Sequence, residues 1–131
     1  MISVIKDLPD NVIGFSASGE VTTDDFKHVL RPEVDRFMKQ HSDLNYVLEL
    51  NTDIKNFSAG AWFQDAMLGI KHLTSWNRSA IITDNDNIAR FTELFSKIMP
   101  GEFKAFSHGM KEEAIDWVSG INQLKNNSDV N

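Results

Sequence analysis

The sequence predicts an α/β domain built on a mixed five-stranded sheet with four main helices. Two observations indicate this fold: short apolar runs typical of buried strands alternate with helical patterns, and Pro, Gly and Asn mark several of the boundaries between them. Strands separated by helices pair in parallel through right-handed crossovers. We therefore expect strands 2–5 to be parallel and strand 1, joined to strand 2 by a tight turn, to be antiparallel.

The central strand is predicted over residues 46–50, which are apolar except for Glu49. A continuous apolar run of this length is typical of a strand buried on both faces. Residues 12–18 alternate instead between apolar and small side chains, which indicates a strand with one well-buried face. The remaining strands are predicted at residues 2–5, 79–83 and 103–106.

Four helices are predicted from apolar residues spaced three and four positions apart, over residues 23–40, 58–76, 86–98 and 110–121. Thr22 precedes the first helix, and Asp25 follows three residues later in the pattern of a capping box. Pro32 falls inside this helix, so we expect a kink there or a division into two pieces. Asp84 or Asn85 is the expected N-cap of the third helix.

Length and composition are those of one globular domain, with 131 residues, of which 41% are hydrophobic and 24% charged. We expect this domain over residues 1–121 and a polar, frayed tail over residues 122–131. The net charge of −6 argues against nucleic acid and anionic membrane surfaces as partners. No apolar run reaches the roughly 18 residues that span a bilayer, and no signal-peptide pattern opens the chain, so we expect a cytoplasmic protein.

Enzyme signatures are missing from the sequence. It contains no G-x-S-x-G, Walker A, G-x-G-x-x-G or H-E-x-x-H motif, and the absence of cysteine excludes thiol chemistry and disulfides. The four histidines, His28, His41, His72 and His108, lack the spacing of metal ligands. We therefore predict a protein that is not an enzyme and uses neither a metal nor a cofactor.

The loops predicted at the carboxyl ends of the strands, where α/β proteins bind ligands, are residues 20–25, 51–58, 83–86 and 107–109. Acidic residues are frequent in them: Asp24, Asp25, Asp53, Asp84 and Asp86. They form either an acidic rim that binds a cation or a basic partner, or a set of helix caps near positive dipole ends. Glu49 lies inside a buried strand and must be paired, hydrogen-bonded or protonated there. It is either a satisfied structural group or a contact to a ligand.

Several short motifs resemble those of a small bacterial family described as SpoIIAA-like, which is STAS-like in fold. The motifs are residues 8–15, 18–22, 57–62, 72–74, 83–84 and 99–102, with Asp65 and Gly69. The resemblance covers roughly residues 1 to 120 and implies the SpoIIAA-like fold. A looser resemblance links the chain to the STAS domains of anti-sigma-factor antagonists and to CRAL-TRIO lipid carriers.

The resemblance implies a non-enzymatic binding or regulatory module, with a small apolar or lipid-like molecule as its ligand. The candidate pocket residues are Glu49 and five large apolar side chains at helix edges, namely Trp62, Met67, Trp76, Phe95 and Met99. The same five side chains equally fit a hydrophobic core.

An alternative function is a protein-interaction switch of the anti-sigma-factor-antagonist type. Antagonists of this type carry a phosphorylatable serine in a D-S-S-G-like motif at the start of the helix after the third strand. Residues 57–60 correspond to that motif: Ser58 matches the first serine and Gly60 the glycine, whereas Phe57 and Ala59 depart from it. Ser58 is therefore either a phosphorylation site or a plain helix N-cap.

The outer face of the helix predicted over residues 58–76 is unusually apolar for a solvated surface. At 100° per residue it carries Ala61, Asp65, Leu68 and His72, with Trp76 on one shoulder. We expect a second copy of the chain to cover this face across a two-fold axis. The alternative is a solvated face with one exposed leucine.

Overall fold

A computed structural model describes residues 1–51 and 73–120, and at its centre lies a five-stranded sheet with the strand order β1-β2-β3-β4-β5. The strands are β1 (Ile2–Val4), β2 (Ile13–Ala17), β3 (Leu44–Leu50), β4 (Trp76–Ile82) and β5 (Glu102–Phe106). β1 pairs antiparallel with β2, whereas the pairs from β2 to β5 are all parallel. The predicted mixed sheet is confirmed.

Three of the four predicted helices lie in the described residues. Helix α1 consists of consecutive α-helical, π-helical and α-helical segments, which are Thr23–Asp25, Phe26–Leu30 and Arg31–Met38; α2 is Asp86–Ser96, and α3 is Lys111–Ser119. Short 3-10 turns at Leu73–Ser75 and His108–Met110 precede β4 and α3. Most of the helix predicted over residues 58–76, and the predicted tail, lie outside the described residues.

The predicted end of the second helix near Trp76 is wrong, because Trp76 is the first residue of β4. Its side chain is only 4% exposed. The indole ring packs edge-on against Tyr46, with ring centroids 5.3 Å apart, and at a tilt against Phe103, also at 5.3 Å. The sequence spacing placed Trp76 on the shoulder of a helix. Packing of its ring between aromatic rings of the two neighbouring strands places it in the sheet instead.

Local signals in α1 behave as the sequence predicts. Thr22 Oγ1 accepts a hydrogen bond from Asp25 N (3.3 Å), and Asp25 Oδ2 accepts one from Thr22 N (3.0 Å), which completes the capping box. A discontinuity is expected at Pro32, and the structure has one directly before it. It is the π-helical segment, where Arg31 N donates to Phe26 O five residues back. Pro32 is the second residue of the following α-helical segment, and the first turn tolerates its missing N–H.

The helices cover the sheet from both sides. Helices α1 and α2 pack on one face, in a core that includes Phe15, Phe26, Leu30, Leu48 and Phe95. Helix α3 packs on the other face, in a smaller core that includes Val47, Ala80, Ile82, Ala114 and Val118. All of β3 is buried between these layers, as the sequence predicts for the central strand.

Candidate functional site

A cleft of about 610 Å³ lies at the carboxyl ends of β3, β4 and β5. Its lining among the described residues consists of Leu50, Asn51, Thr83, Asp84, Asn85, Ile88 and His108. The volume falls in the range of small-molecule sites, and parallel α/β sheets bind ligands at this edge. We call it the carboxyl-edge cleft.

The wall formed by the start of α2 is held in place by local hydrogen bonds. Asn85 is the N-cap of this helix, since its Oδ1 accepts hydrogen bonds from Asn87 N (2.9 Å) and Ile88 N (3.1 Å). Thr83 Oγ1 accepts a bond from Asn85 N at 3.1 Å. These bonds fix the turn between β4 and α2, so that the buried Ile88 side chain contributes an apolar surface to the cleft.

Asp84 and His108 connect the ends of β4 and β5. His108 N donates to Asp84 Oδ1 (3.2 Å), and His108 Nδ1 lies 2.8 Å from Asp84 Oδ2. The hydrogen bond from the His108 backbone, followed by the one from its side chain, lowers the pKa of the Asp84 carboxyl. The pair therefore fixes the imidazole at the mouth of the cleft and favours the ionised carboxylate.

Glu49 is satisfied by a network on the α3 side of the sheet. Its Oε1 accepts hydrogen bonds from Ser16 Oγ (3.3 Å), Asn51 Nδ2 (3.2 Å) and Lys111 Nζ (3.3 Å). Asn51 Nδ2 also donates to Ser16 Oγ at 2.9 Å. Burial raises the pKa of Glu49, but these hydrogen bonds and the Lys111 charge outweigh it and leave the pKa below its ordinary value. Glu49 is thus both paired and hydrogen-bonded, as its place in a buried strand requires, and its role as a contact to a ligand stays a prediction. The network also positions Asn51 beside the cleft.

The apolar pocket candidates that the structure describes do not meet in this cleft. Trp76 and Phe95 are buried and both pack against Phe103 near the amino ends of β4 and β5, while Met99 is half-buried against the same core. Trp76 begins β4 and Thr83 follows its end, so the two are about 23 Å apart at 3.3 Å per residue. A role for these side chains in a pocket stays a prediction, and their position favours a role in the core.

The other predicted site residues lie outside the described residues. They are the pocket candidates Trp62 and Met67, the phosphorylation candidate Ser58, and the interface candidates Ala61, Asp65, Leu68 and His72. Their roles stay predictions.

The sequence places residues 51–58, 83–86 and 107–109 at this edge, but only their aspartates were singled out, so Leu50, Asn51, Ile88 and His108 were not named as site residues. His108 was named only among the four histidines, although its loop, residues 107–109, was placed at this edge. A usable signal existed, because the loops after two neighbouring parallel strands must meet at one edge. That rule brings residues 83–86 and 107–109 together and predicts the contact between Asp84 and His108.

Within residues 1–51 and 73–120, no group of three or more acidic or histidine side chains is arranged to hold a metal ion. Over the same ranges, no helix has the length and apolar character needed to cross a membrane.

Comparisons with known proteins agree with this architecture. The family model described as SpoIIAA-like matches residues 12–119. A similar solved structure is the crystal structure of an uncharacterized protein from the DUF3478 family with a SpoIIAA-like fold, from Shewanella loihica PV-4. It has a TM-score of 0.62 and 26% sequence identity, and the match covers 90% of this chain and 92% of that one. A comparison with curated proteins gives no match.

Proposed function

The chain belongs to the SpoIIAA-like family, and on this premise we propose that it binds a small apolar or lipid-like molecule in the carboxyl-edge cleft without transforming it. The family fold supports a binding or regulatory module. The observation that carries the finer proposal is the cleft itself, whose volume of about 610 Å³ suits a small ligand.

The described lining of the cleft is mainly polar, and its two apolar side chains fit a ligand with a small apolar part and a polar end. Leu50 and Ile88 supply the apolar contact from β3 and α2, and burying such surface is the main source of affinity for a small apolar molecule. Asn51 and His108 supply polar groups on the same cleft, and both are held by hydrogen bonds to other residues. A preorganised polar end costs little ordering on binding and orients the ligand.

Native mass spectrometry of the protein purified from cells tests this proposal. We expect a co-purifying mass that is released on unfolding and extracts into organic solvent. The variant His108→Trp should lose this mass, because the larger ring fills the cleft. Asp84 loses its side-chain partner in this variant, but it is mostly exposed, so the fold should be retained. The matched control His28→Trp changes an exposed histidine on α1 and should retain the mass. Absence of any bound mass, or equal retention by both variants, contradicts the proposal.

The alternative function, a switch phosphorylated at Ser58, gives a different result in the same spectra. It predicts an increment of one phosphate that Ser58→Ala abolishes and His108→Trp leaves in place. What supports it is the match of Ser58 and Gly60 to the antagonist motif. An apolar mass without a phosphate favours the ligand-binding function, and a phosphate without an apolar mass favours the switch.

A further inference from the structure

The outer side of β5 has an open backbone edge in the part of the sheet that the structure describes. Phe106 O accepts a hydrogen bond from Thr83 N (2.8 Å), so the backbone groups of Phe106 point toward β4. Because backbone groups alternate in direction along a strand, those of Phe103 and Ala105 point away from β4. Ser96 Oγ accepts a bond from Phe103 N (3.0 Å) and covers the start of this edge. The edge is therefore open at Ala105, for which the described residues provide no outer partner.

Two clefts flank this open edge, one on each face of the sheet. The cleft on the α2 side has a volume of about 300 Å³, and the cleft on the α3 side about 590 Å³. Residues Ala105, Phe106 and Ser107 line both clefts, so the two join along the rim of β5. We call the two clefts together the edge slot.

The walls of the edge slot are stripes of side chains at positions i, i+3 and i+7, which lie on one side of a helix. Asp86, Ala89 and Glu93 form the wall on the α2 side, which is acidic with a small residue at its centre. Met110, Glu113 and Trp117 form the wall on the α3 side, which is largely apolar. Met110 is 40% exposed, a high value for a large apolar side chain.

We propose that the edge slot binds an extended segment of a partner protein, which adds a sixth strand beside β5. The side chains of an added strand point alternately to the two faces of the sheet and so enter both clefts at once. Main-chain hydrogen bonds to Ala105 supply affinity, and the two clefts select the side chains at alternate positions. The walls select basic residues toward Asp86 and Glu93, and apolar residues toward Met110 and Trp117.

Charge decides between a partner protein and a second copy of this chain. Four carboxylates line the two clefts, from Asp84, Asp86, Glu93 and Glu113, whereas Lys104 is the one cation among the described lining residues. The Lys104 ammonium lies over the rings of Phe106 (5.2 Å) and Trp117 (5.9 Å). Pairing β5 with itself would bring acidic walls of like charge together, in a chain whose net charge is −6. A basic segment of another protein is the complementary occupant.

Synthetic peptides test the proposal, with binding to the whole protein followed by amide chemical shifts. The probe is an acetylated peptide that alternates lysine and valine over six residues, and its control has the same composition in two blocks. We expect the alternating peptide to bind at least about tenfold more tightly and to shift the Ala105 amide, since only alternation satisfies both clefts.

The variant Ala105→Pro removes the outward N–H but none of the hydrogen bonds to β4. It should weaken binding of the alternating peptide at least about tenfold, the loss expected for one or two main-chain hydrogen bonds. Val4→Pro is the matched control on the opposite edge, because Ile5 N donates to Gly14 O and the neighbouring Val4 N–H therefore faces outward. That variant should bind the peptide like the wild type.

Glu93→Lys tests the acidic wall independently of strand geometry. It should weaken binding of the lysine–valine peptide and strengthen binding of a glutamate–valine peptide. Equal affinity for the alternating and block peptides, or unchanged affinity in Ala105→Pro, would overturn the proposal. So would no binding of the alternating peptide at all, or a wild-type dimer that Ala105→Pro converts to a monomer, which would assign the edge to a second copy.

Discussion

Lys111 Nζ lies 3.2 Å from Glu49 Oε2 and 3.3 Å from Glu49 Oε1. The contact joins the first residue of α3 to the central strand of the sheet across 62 positions of sequence. The Glu49 side chain is 11% exposed and that of Lys111 39%. The carboxylate is thus mostly buried, whereas its positively charged partner is partly exposed. Replacing Lys111 therefore tests the pair without changing the buried residue.

Lys111→Met should lower the free energy of unfolding by about 1–2 kcal/mol. The change leaves a mostly buried carboxylate without its cation, but Ser16 and Asn51 still donate to it, and the exposure of Lys111 reduces the effect. Urea titration followed by circular dichroism measures this difference. Lys27→Met, at an exposed position of α1, is the control and should change stability by less than about 0.5 kcal/mol. Equal effects of the two variants would contradict the prediction.

The stability contributed by ionised Glu49 should disappear in acid. Its folded pKa is lowered, so this contribution is complete above the unfolded pKa of about 4.3 and is lost as the pH falls through the lower folded pKa. Glu49→Gln removes the titration but can retain hydrogen bonds. We therefore expect the advantage of the wild type over this variant, measured in urea at several pH values, to shrink below about pH 4.3. A difference that is independent of pH would show that Glu49 does not titrate in this way.

Gly101→Ala should destabilise the protein by about 2 kcal/mol or more. Gly101 has a φ of +91°, and a Cβ there would lie 2.6 Å from Trp76 O and 2.9 Å from Asn77 O, both of them backbone atoms. Gly19→Ala separates the two causes, because Gly19 has a φ of +61° with open space around it. That control should cost only about 1 kcal/mol, from the backbone conformation alone. Thermal unfolding of both variants distinguishes a clash from simple backbone preference.

Tyr46→Phe should leave stability unchanged or raise it by up to about 1 kcal/mol. Tyr46 is fully buried, its hydroxyl has no hydrogen-bond partner among the described residues, and burial strongly raises the pKa of its phenol. The ring contacts with Phe15 and Trp76 remain in the variant. Tyr46→Leu, which loses those contacts, should be destabilising in the same urea titration. A loss of more than about 1 kcal/mol in Tyr46→Phe would reveal a hydrogen bond to this hydroxyl.

Leu68→Asp tests the predicted dimer. If the face with Leu68 is a two-fold interface, the charge should convert a dimer to a monomer in sedimentation, while the far-UV spectrum stays unchanged. A wild-type protein that sediments as a monomer at high concentration would contradict the prediction. Leu94→Asp, at a leucine that is 61% exposed on α2, is the matched control and should leave the sedimentation unchanged.

Most of the described fold could be predicted because its signals are local. The capping box of Thr22 and Asp25, the N-cap of Asn85 and the buried run of β3 each depend on a few neighbouring residues. The start of β4 was missed for the same reason. Trp76 extends the helical spacing of the preceding residues, and only its contacts with Tyr46 and Phe103 assign it to the sheet.

The candidate site was harder to predict because its parts are distant in sequence. Asp84 and His108 are 24 residues apart, and only the parallel pairing of β4 with β5 brings them together. For the apolar candidates Phe95 and Met99, the pattern is visible in the sequence but its meaning is ambiguous. Large apolar side chains at helix edges have the same spacing in a core and in a pocket, so the pattern alone does not separate the two.

The strand order of the sheet has a consequence for synthesis of the chain on the ribosome. Each strand pairs with the strand that precedes it in sequence, so no strand waits for a later one to be inserted beside it. In sheets with a rearranged order, an early strand keeps an unpaired side until a distant segment emerges. Here β2 can pair with β1, and each later strand can then add to the growing edge in the order of translation. β5 is added last among the described strands, so no later described strand pairs with its outer edge.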